Sequence, residues 1–219
     1  MHIACKPNIL YFGSPVALLS TLNADGAANL APMSSTIFLG WRCLLGLQAN
    51  SKTVENLRRT GQMVINMASV DQVSAVDRLA KTTGSAVVPG DKLARGFRFE
   101  ARKFETAGLT AVPSETIAPP RVLECPVQLE ARLVAERPLD EGGPLEAFLT
   151  TFEMRVHRIH IDHTILMDGQ ADRIDPDKWR PLIFNFQQFY GLGPKAHHST
   201  LGEIPEALYR TPDMAGSAT

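Results

Sequence analysis

Several short strand-like runs, an Asp-Gly turn signal and only two stretches of helical periodicity predict a mainly β protein, a barrel with a few peripheral helices. Residues 16–22 are the first β-permissive run, and it ends in Asn23-Ala24-Asp25-Gly26, a strong hairpin signal. The chain is expected to turn back there. Residues 29–33 are the return strand, with Pro32 ending regular pairing because proline has no amide hydrogen to donate. Residues 36–39 and 43–48 read as two further strands around Gly40-Trp41. Residues 51–61 then change character, with a cap residue at Ser51, apolar positions three apart at Val54 and Leu57, and a stop at Gly61. This predicts a short helix, followed by a strand over 62–67 and a second helix opened by Asp71 and carrying Val73, Val76 and Leu79.

From 81 to 120 the periodicity fades among glycines and prolines, which predicts an excursion with a little helix packed over the barrel. Strand character returns over 121–134, where Val127, Leu129, Ala131 and Leu133 alternate as for one buried face, and again over 153–161 with an irregularity near Arg158. An aromatic cluster at Phe184, Phe186, Phe189 and Tyr190 follows. The expected organisation is a single domain over 1–205 and a tail without order over 206–219.

The 219 residues carry 22 Lys and Arg against 23 Asp and Glu, a formal charge of -1. That balance argues against nucleic acid and against anionic membrane surfaces as partners. The apolar stretch 9–19 is broken by Pro15 and preceded by little positive charge, so it does not read as a signal peptide. Three separated cysteines, Cys5, Cys43 and Cys125, fit reduced thiols, and the expected location is cytoplasmic.

Two segments could carry chemistry. Gln48-Ala49-Asn50-Ser51-Lys52-Thr53 joins a strand end to a helix start and gathers an amide, hydroxyls and a cation where the first-turn amides concentrate partial positive charge. A phosphate monoester suits such a place in charge and size. The alternative is that Ser51 only caps the helix and Lys52 is solvated. In Asn29-Leu30-Ala31-Pro32-Met33-Ser34-Ser35, a strand breaks at proline and continues as serines. Its freed backbone groups could meet a planar heterocycle, or the segment is an ordinary bulge facing water.

Together these segments resemble the flavin reductase-like, FMN-binding split-barrel family. The family pattern of N-x-A-P-M/F-S-S, then S-S/R-K-T-x-x-N, then T-G-E-x-V-x-N is matched in order by residues 29–35, by residues 50–56 and by Thr60-Gly61-Gln62-Met63-Val64-Ile65-Asn66. Leu123-Glu124-Cys125-Pro126-Val127-Gln128-Leu129-Glu130 and Asp162-His163-Thr164-Ile165 extend the likeness over most of residues 15–193. The resemblance implies a homodimer of split barrels with FMN near the subunit interface. Carried over by position, Pro32, Met33, Ser34 and Ser35 line the flavin ring, while Gln48, Asn50, Ser51, Lys52 and Thr53 hold the ribityl phosphate. His163 is implied on the nicotinamide side, against the alternative of a solvated strand-end residue. The chain departs from many relatives at 166–171, where they continue into a G-E-V strand.

His157, His160 and His163 are spaced by three, but on a strand they do not share a face, so no metal site is expected. Gly191-Leu192-Gly193 lacks the strand–helix context of a dinucleotide loop, and His197-His198-Ser199 reads as a polar turn. The function implied is an NAD(P)H-dependent flavin reductase, supplying reduced flavin to a separate monooxygenase. In such an enzyme the cofactors carry the electronic chemistry and no acid–base dyad is needed. A noncatalytic FMN electron carrier and a cofactor-free interaction module are the alternatives.

Overall fold

The computed structural model describes residues 1–216, and its main feature is one seven-stranded antiparallel sheet. The strands are β1 (Ala17–Leu22), β2 (Ala28–Met33), β3 (Thr36–Leu39), β4 (Arg42–Gln48), β5 (Gln62–Met67), β6 (Val127–Pro138) and β7 (Leu149–Ile161). Their spatial order is β2-β1-β5-β6-β7-β4-β3. β2 and β3 are therefore at opposite ends of the sheet, yet only Ser34 and Ser35 separate them in the chain. Three Cα steps span about 11 Å at most, so the sheet must curl until its two edges meet at this junction. The result is a barrel with a seam, as the family resemblance implied.

The β1–β2 hairpin turns where expected. Gly26 has φ of 84°, a conformation glycine adopts without strain, and its amide donates to Asn23 at 3.0 Å. One expectation is corrected here, because Pro32 does not end the pairing. It sits opposite Leu18 inside β2, tolerated because β2 is an edge strand on which the missing amide costs no second ladder. The irregularity expected near Arg158 is a bulge: Glu130 pairs with Arg158 and Ala131 with Val156, leaving His157 as the extra residue.

Side chains inside the barrel come from alternate positions, among them Leu19, Leu45, Leu47, Ile65, Leu129, Phe152 and Met154, closed at one end by Val54 and Leu57. A second apolar layer lies outside β1, where Val16, Leu18 and Leu30 meet Val76 and Leu79 of a helix, α2 below. The helix α1 (Lys52–Thr60) is bounded as its sequence dictates. Ser51 Oγ accepts from the Val54 amide, and Gly61 takes the left-handed conformation with φ of 64°. After β5 come α2 (Val73–Leu79), α3 (Gly90–Ala94) and α4 (Lys103–Ala107).

Residues 81–126 cover the outer face of β5 and the first half of β6, so β6 is buried on both faces over residues 127–131 rather than on one. This proline-rich segment makes few ladder bonds, and polar side chains of the sheet satisfy its amides instead. Glu130 accepts from the amides of Glu115 (2.8 Å) and Thr116 (2.7 Å), Gln62 from Ala118 (2.9 Å), and Asn66 from Val122 (2.8 Å). The Asn66 amide group donates in turn to the Leu18 carbonyl at 2.9 Å. His160 Nε2 lies 2.8 Å from the same Glu130 carboxylate.

The chain ends beside the start. Ala68, Val16 and Leu182 exchange backbone hydrogen bonds, and β8 (Ile183–Asn185) and β9 (Gln188–Tyr190) form a small sheet with Ser14–Pro15. The Phe186 and Gln187 of its turn both have positive φ, 43° and 66°, as a tight hairpin turn requires but side chains disfavour. The tail expected without order carries 3₁₀ turns at Glu206–Tyr209 and Pro212–Gly216, with Asp213 accepting from the Trp41 amide at 3.1 Å. Residues 217–219 lie outside the described residues. Among the described residues no helix is long and apolar enough to cross a membrane.

Glu130 gives this packing a pH dependence. Burial alone would raise its carboxyl, but the hydrogen bonds from Thr116, Glu115 and His160 outweigh it and hold the group at about 2. A depressed folded value means the contribution is present above about 4.5, the ordinary value, and fades as pH falls towards 2. Glu130→Gln is expected to cost about 3 kcal/mol at neutral pH and to flatten stability between pH 4.5 and 2, measured by denaturant unfolding. An unchanged acid limb contradicts the assignment.

Candidate functional site

The start of α1 and the barrel seam face one cavity of about 590 Å³. Of the residues singled out in the sequence, Pro32, Met33, Ser35, Gln48, Ser51, Lys52 and Thr53 line it. Two do not. Asn50 is exposed and faces a surface recess with Arg58 and Arg59, because the turn before α1 carries it outward. Ser34 lies on the other side of the seam, lining a smaller cavity of about 190 Å³ with Val16, Val76, Phe184 and Phe189. Alternation along an extended chain sends neighbouring Ser34 and Ser35 opposite ways.

Ser51 serves both readings of the helix start. Its oxygen accepts from Val54 at 3.2 Å, yet its hydroxyl hydrogen remains free to donate into the cavity. Thr53 is buried and tied to Asn29, whose side-chain amide donates to it and to Thr21 at 3.3 Å each. Lys52 donates to Glu55 at 2.7 Å. From Asn29 to Met33, β2 contributes a wall about 13 Å long, with the helix start at one end and the serine junction at the other.

The excursion supplies residues that the sequence reading did not single out. Gln48 donates to Asp91 Oδ2 at 3.0 Å, drawing α3 onto the end of β4. Asp91 also pairs with Arg95 at 2.6 Å. Lys92 and Lys103, on α3 and α4, line the cavity and are only 7% and 3% exposed. Among the described residues neither ammonium group has a carboxylate at ion-pair distance. Burial lowers the Lys103 ammonium to about 8, helped by the neighbouring Lys92 charge and opposed by Glu100. Burial lowers Lys92 as well, against an upward pull from Asp91. Buried charges are ordinarily paired, so two buried lysines without a carboxylate are an arrangement completed by an anion. No short-range sequence signal marks them, since α3 and α4 are five-residue helices in a segment without periodicity.

His163 does not line this cavity. The cavity is lined by Leu149, Thr150 and Thr151 at the start of β7, whereas His163 follows its end. The strand's 13 residues put roughly 40 Å of chain between them. The His163 side chain is exposed, beside Asp162, and does not reach this protomer's cavity. The three histidines do not converge either. His160 faces Glu130 and Glu115, and His157 lies among Arg155, Arg132 and Arg42, whose charges add to burial in lowering it. Among the described residues no group of His, Cys, Asp or Glu could hold a metal ion. Cys43 and Cys125 are free and buried, and burial raises both thiols, Cys43 to about 12, which makes them poor nucleophiles.

The pattern of the family described as flavin reductase like domain matches residues 9–193. An uncharacterised protein of Bacillus subtilis (strain 168), YdfE, is 38% identical over 188 residues, covering 86% of this chain and 88% of its own length. Flavoredoxin of Desulfovibrio vulgaris (Miyazaki F) superposes with a TM-score of 0.71 at 20% identity, over 93% of this chain and 100% of that one. Nitrilotriacetate monooxygenase component B from Bacillus cereus gives 0.71 at 20% identity, over 90% and 100%. These two structures share the fold of this chain.

Gly84 tests how tightly the cationic end is built. A β-carbon there would lie 2.5 Å from Asn29 Oδ1 and 2.9 Å from Lys52 Cγ, and buried Asn29 cannot yield without losing its threonine contacts. Gly84→Ala is expected to cost about 1–3 kcal/mol and to lower the melting temperature by roughly 3–10 °C. An unchanged melting curve refutes this packing.

Proposed function

The chain belongs to the flavin reductase-like, FMN-binding split-barrel family, and from that premise we propose that it holds FMN in the 590 Å³ cavity and reduces it with NADH or NADPH. The observation that carries the reading is the set of cations lining one cavity with the start of α1. Lys52, Lys92 and Lys103 line it, the last two without a carboxylate among the described residues, and a phosphate monoester, with about -1.5 to -2 charges, would complete them. The residues present therefore fit the group.

In this reading Ser51, Lys52 and Thr53 hold the phosphate, and Gln48 stands beside them. Pro32, Met33 and Ser35 form the wall for the ring, along the free edge of β2 and the junction that follows it. FMN, when bound, supplies a ring that accepts a hydride and passes electrons onward. The protein's part is positioning and exclusion of water, which explains a site without an acid–base dyad. Asn50 and Ser34 have no part in the cavity of this protomer, and His163 could reach a nicotinamide only at the cavity of a second subunit.

The homodimer belongs to the same proposal. Ile37, Leu39 and Leu44 are exposed on the outward face of β3 and β4, an apolar edge suited to burial against a second copy. Delivery of reduced flavin to a monooxygenase is proposed by analogy with the name of the Bacillus cereus structure. A noncatalytic electron carrier is the second reading, favoured by the distance of His163 from the cavity.

Two measurements test this. Purified protein loaded with FMN and mixed anaerobically with NADH or NADPH should lose its visible flavin absorbance faster than free FMN does. FMN that binds but is not reduced by either donor moves the assignment to the electron carrier. Lys52→Ala should weaken FMN binding by about 1–3 kcal/mol, measured by fluorescence quenching. Unchanged affinity removes Lys52 from the phosphate site.

A further inference from the structure

The cavity has a second end, at the seam, and the first residues of the chain reach it. Residues 1–13 form no strand or helix and are almost wholly exposed, yet Tyr11 lines the cavity. The small sheet at the other end of the chain sets its place. The Phe186 amide donates to the Tyr11 carbonyl at 2.9 Å, the Tyr11 ring meets Phe184 edge-on with centroids 5.6 Å apart, and Phe12 meets Phe186 at 5.0 Å. Phe184 in turn lines the smaller cavity with Pro32, Met33 and Ser34, so Tyr11 stands at the seam and not beside α1. We propose that Tyr11 is the aromatic contact of the flavin ring and closes the seam end of the cavity against water. The proposal rests on the reading of the cavity as a flavin site.

Three observations single out this residue. Tyr11 is 43% exposed, which leaves an aromatic surface that a planar ligand can bury with only two side-chain torsions to fix. Among the described residues lining the cavity it is the only tyrosine or tryptophan. The third observation is the backbone that holds it. Phe186 and Gln187, in the turn between β8 and β9, keep positive φ without being glycine, and strain of that kind persists only where the surroundings fix it. Here the strained turn delivers both the amide and the ring of Phe186 to the segment that carries Tyr11.

An aromatic contact at this place does two things. Stacked or edge-on packing against the ring is worth about twofold to tenfold in affinity. The gain is the same for FMN and riboflavin, because the ring is common to both. A phenol is also electron-rich, so Tyr11 beside a photoexcited flavin gives up one electron and takes it back, which removes the emission and leaves no net chemical change. Phenylalanine packs in the same way but is too hard to oxidise to act so.

The test is the emission and the affinity of FMN and riboflavin titrated into the full chain. FMN bound to the wild type should be strongly quenched relative to free FMN. Tyr11→Phe should keep the affinity and raise the emission of bound FMN severalfold, a change that a merely structural role would not produce. Tyr11→Leu should raise the emission as well and weaken FMN and riboflavin by the same factor, about twofold to tenfold. Phe12→Ala, which removes the packing on Phe186 but no residue of the cavity, should raise the emission part of the way. Bound FMN that emits like free FMN in the wild type overturns the proposal, as does bound FMN in Tyr11→Phe that emits like the wild type. If neither flavin binds, the reading of the cavity as a flavin site fails and this proposal fails with it, an outcome distinct from FMN that binds with unchanged emission.

Discussion

Everything in this molecule is arranged around a sheet that has to close where the chain cannot pair with itself. β2 and β3 are joined by Ser34 and Ser35 alone, yet they stand at opposite ends of a seven-stranded order. The sheet curls to satisfy the connection and leaves a seam of edge backbone along residues 31–34, ending where the Ser35 carbonyl accepts from the Gly46 amide at 3.1 Å. Edge backbone must be covered or occupied, and here the cavity opens along it. Proline at position 32 is compatible with such an edge and with little else in a sheet. The helix α1, leaving β4 through the turn at residues 49–51, brings its first-turn amides to the far end of the same wall.

The second layer covers one side of this opening. Residues 81–126 are poor in regular structure, and what holds them is a set of side-chain acceptors on β5 and β6: Gln62, Asn66 and Glu130. These polar residues occupy positions that a half-exposed sheet would turn to water, and their amide partners lie in a proline-rich loop. Docking of that loop, together with the Gln48–Asp91 bond, brings Lys92 and Lys103 under cover beside the helix start. Desolvating two ammonium groups is unfavourable for the free protein.

Legibility from sequence followed the range of the interactions. The hairpin at Gly26, the caps at Ser51 and Gly61 and the gathering of hydroxyls and a cation at Ser51, Lys52 and Thr53 depend on contiguous residues, and they are readable as such. The sequence predicts that Pro32 ends regular pairing within the strand over 29–33, and it does not, because its tolerance depends on β2 being at an edge, which is a property of the whole sheet. Ser34 and Ser35 look alike in sequence, but pleating separates them onto two cavities. Lys92 and Lys103 were not legible, since residues 93–102 intervene and only the docked excursion brings them together. For His163 the position in the family pattern was recognisable, but not that the length of β7 separates it from the cavity of its own chain.

The central claim is that phosphate charge at the α1 end and a planar ring along the seam define one ligand. The most direct measurement is a crystal structure of the protein soaked with FMN. The account predicts density for the phosphate within hydrogen-bond distance of Lys52 and Thr53, covered by Lys92 and Lys103, and the ring against Pro32, Met33 and Ser35. A flavin bound elsewhere, or bound with its phosphate away from these lysines, contradicts it.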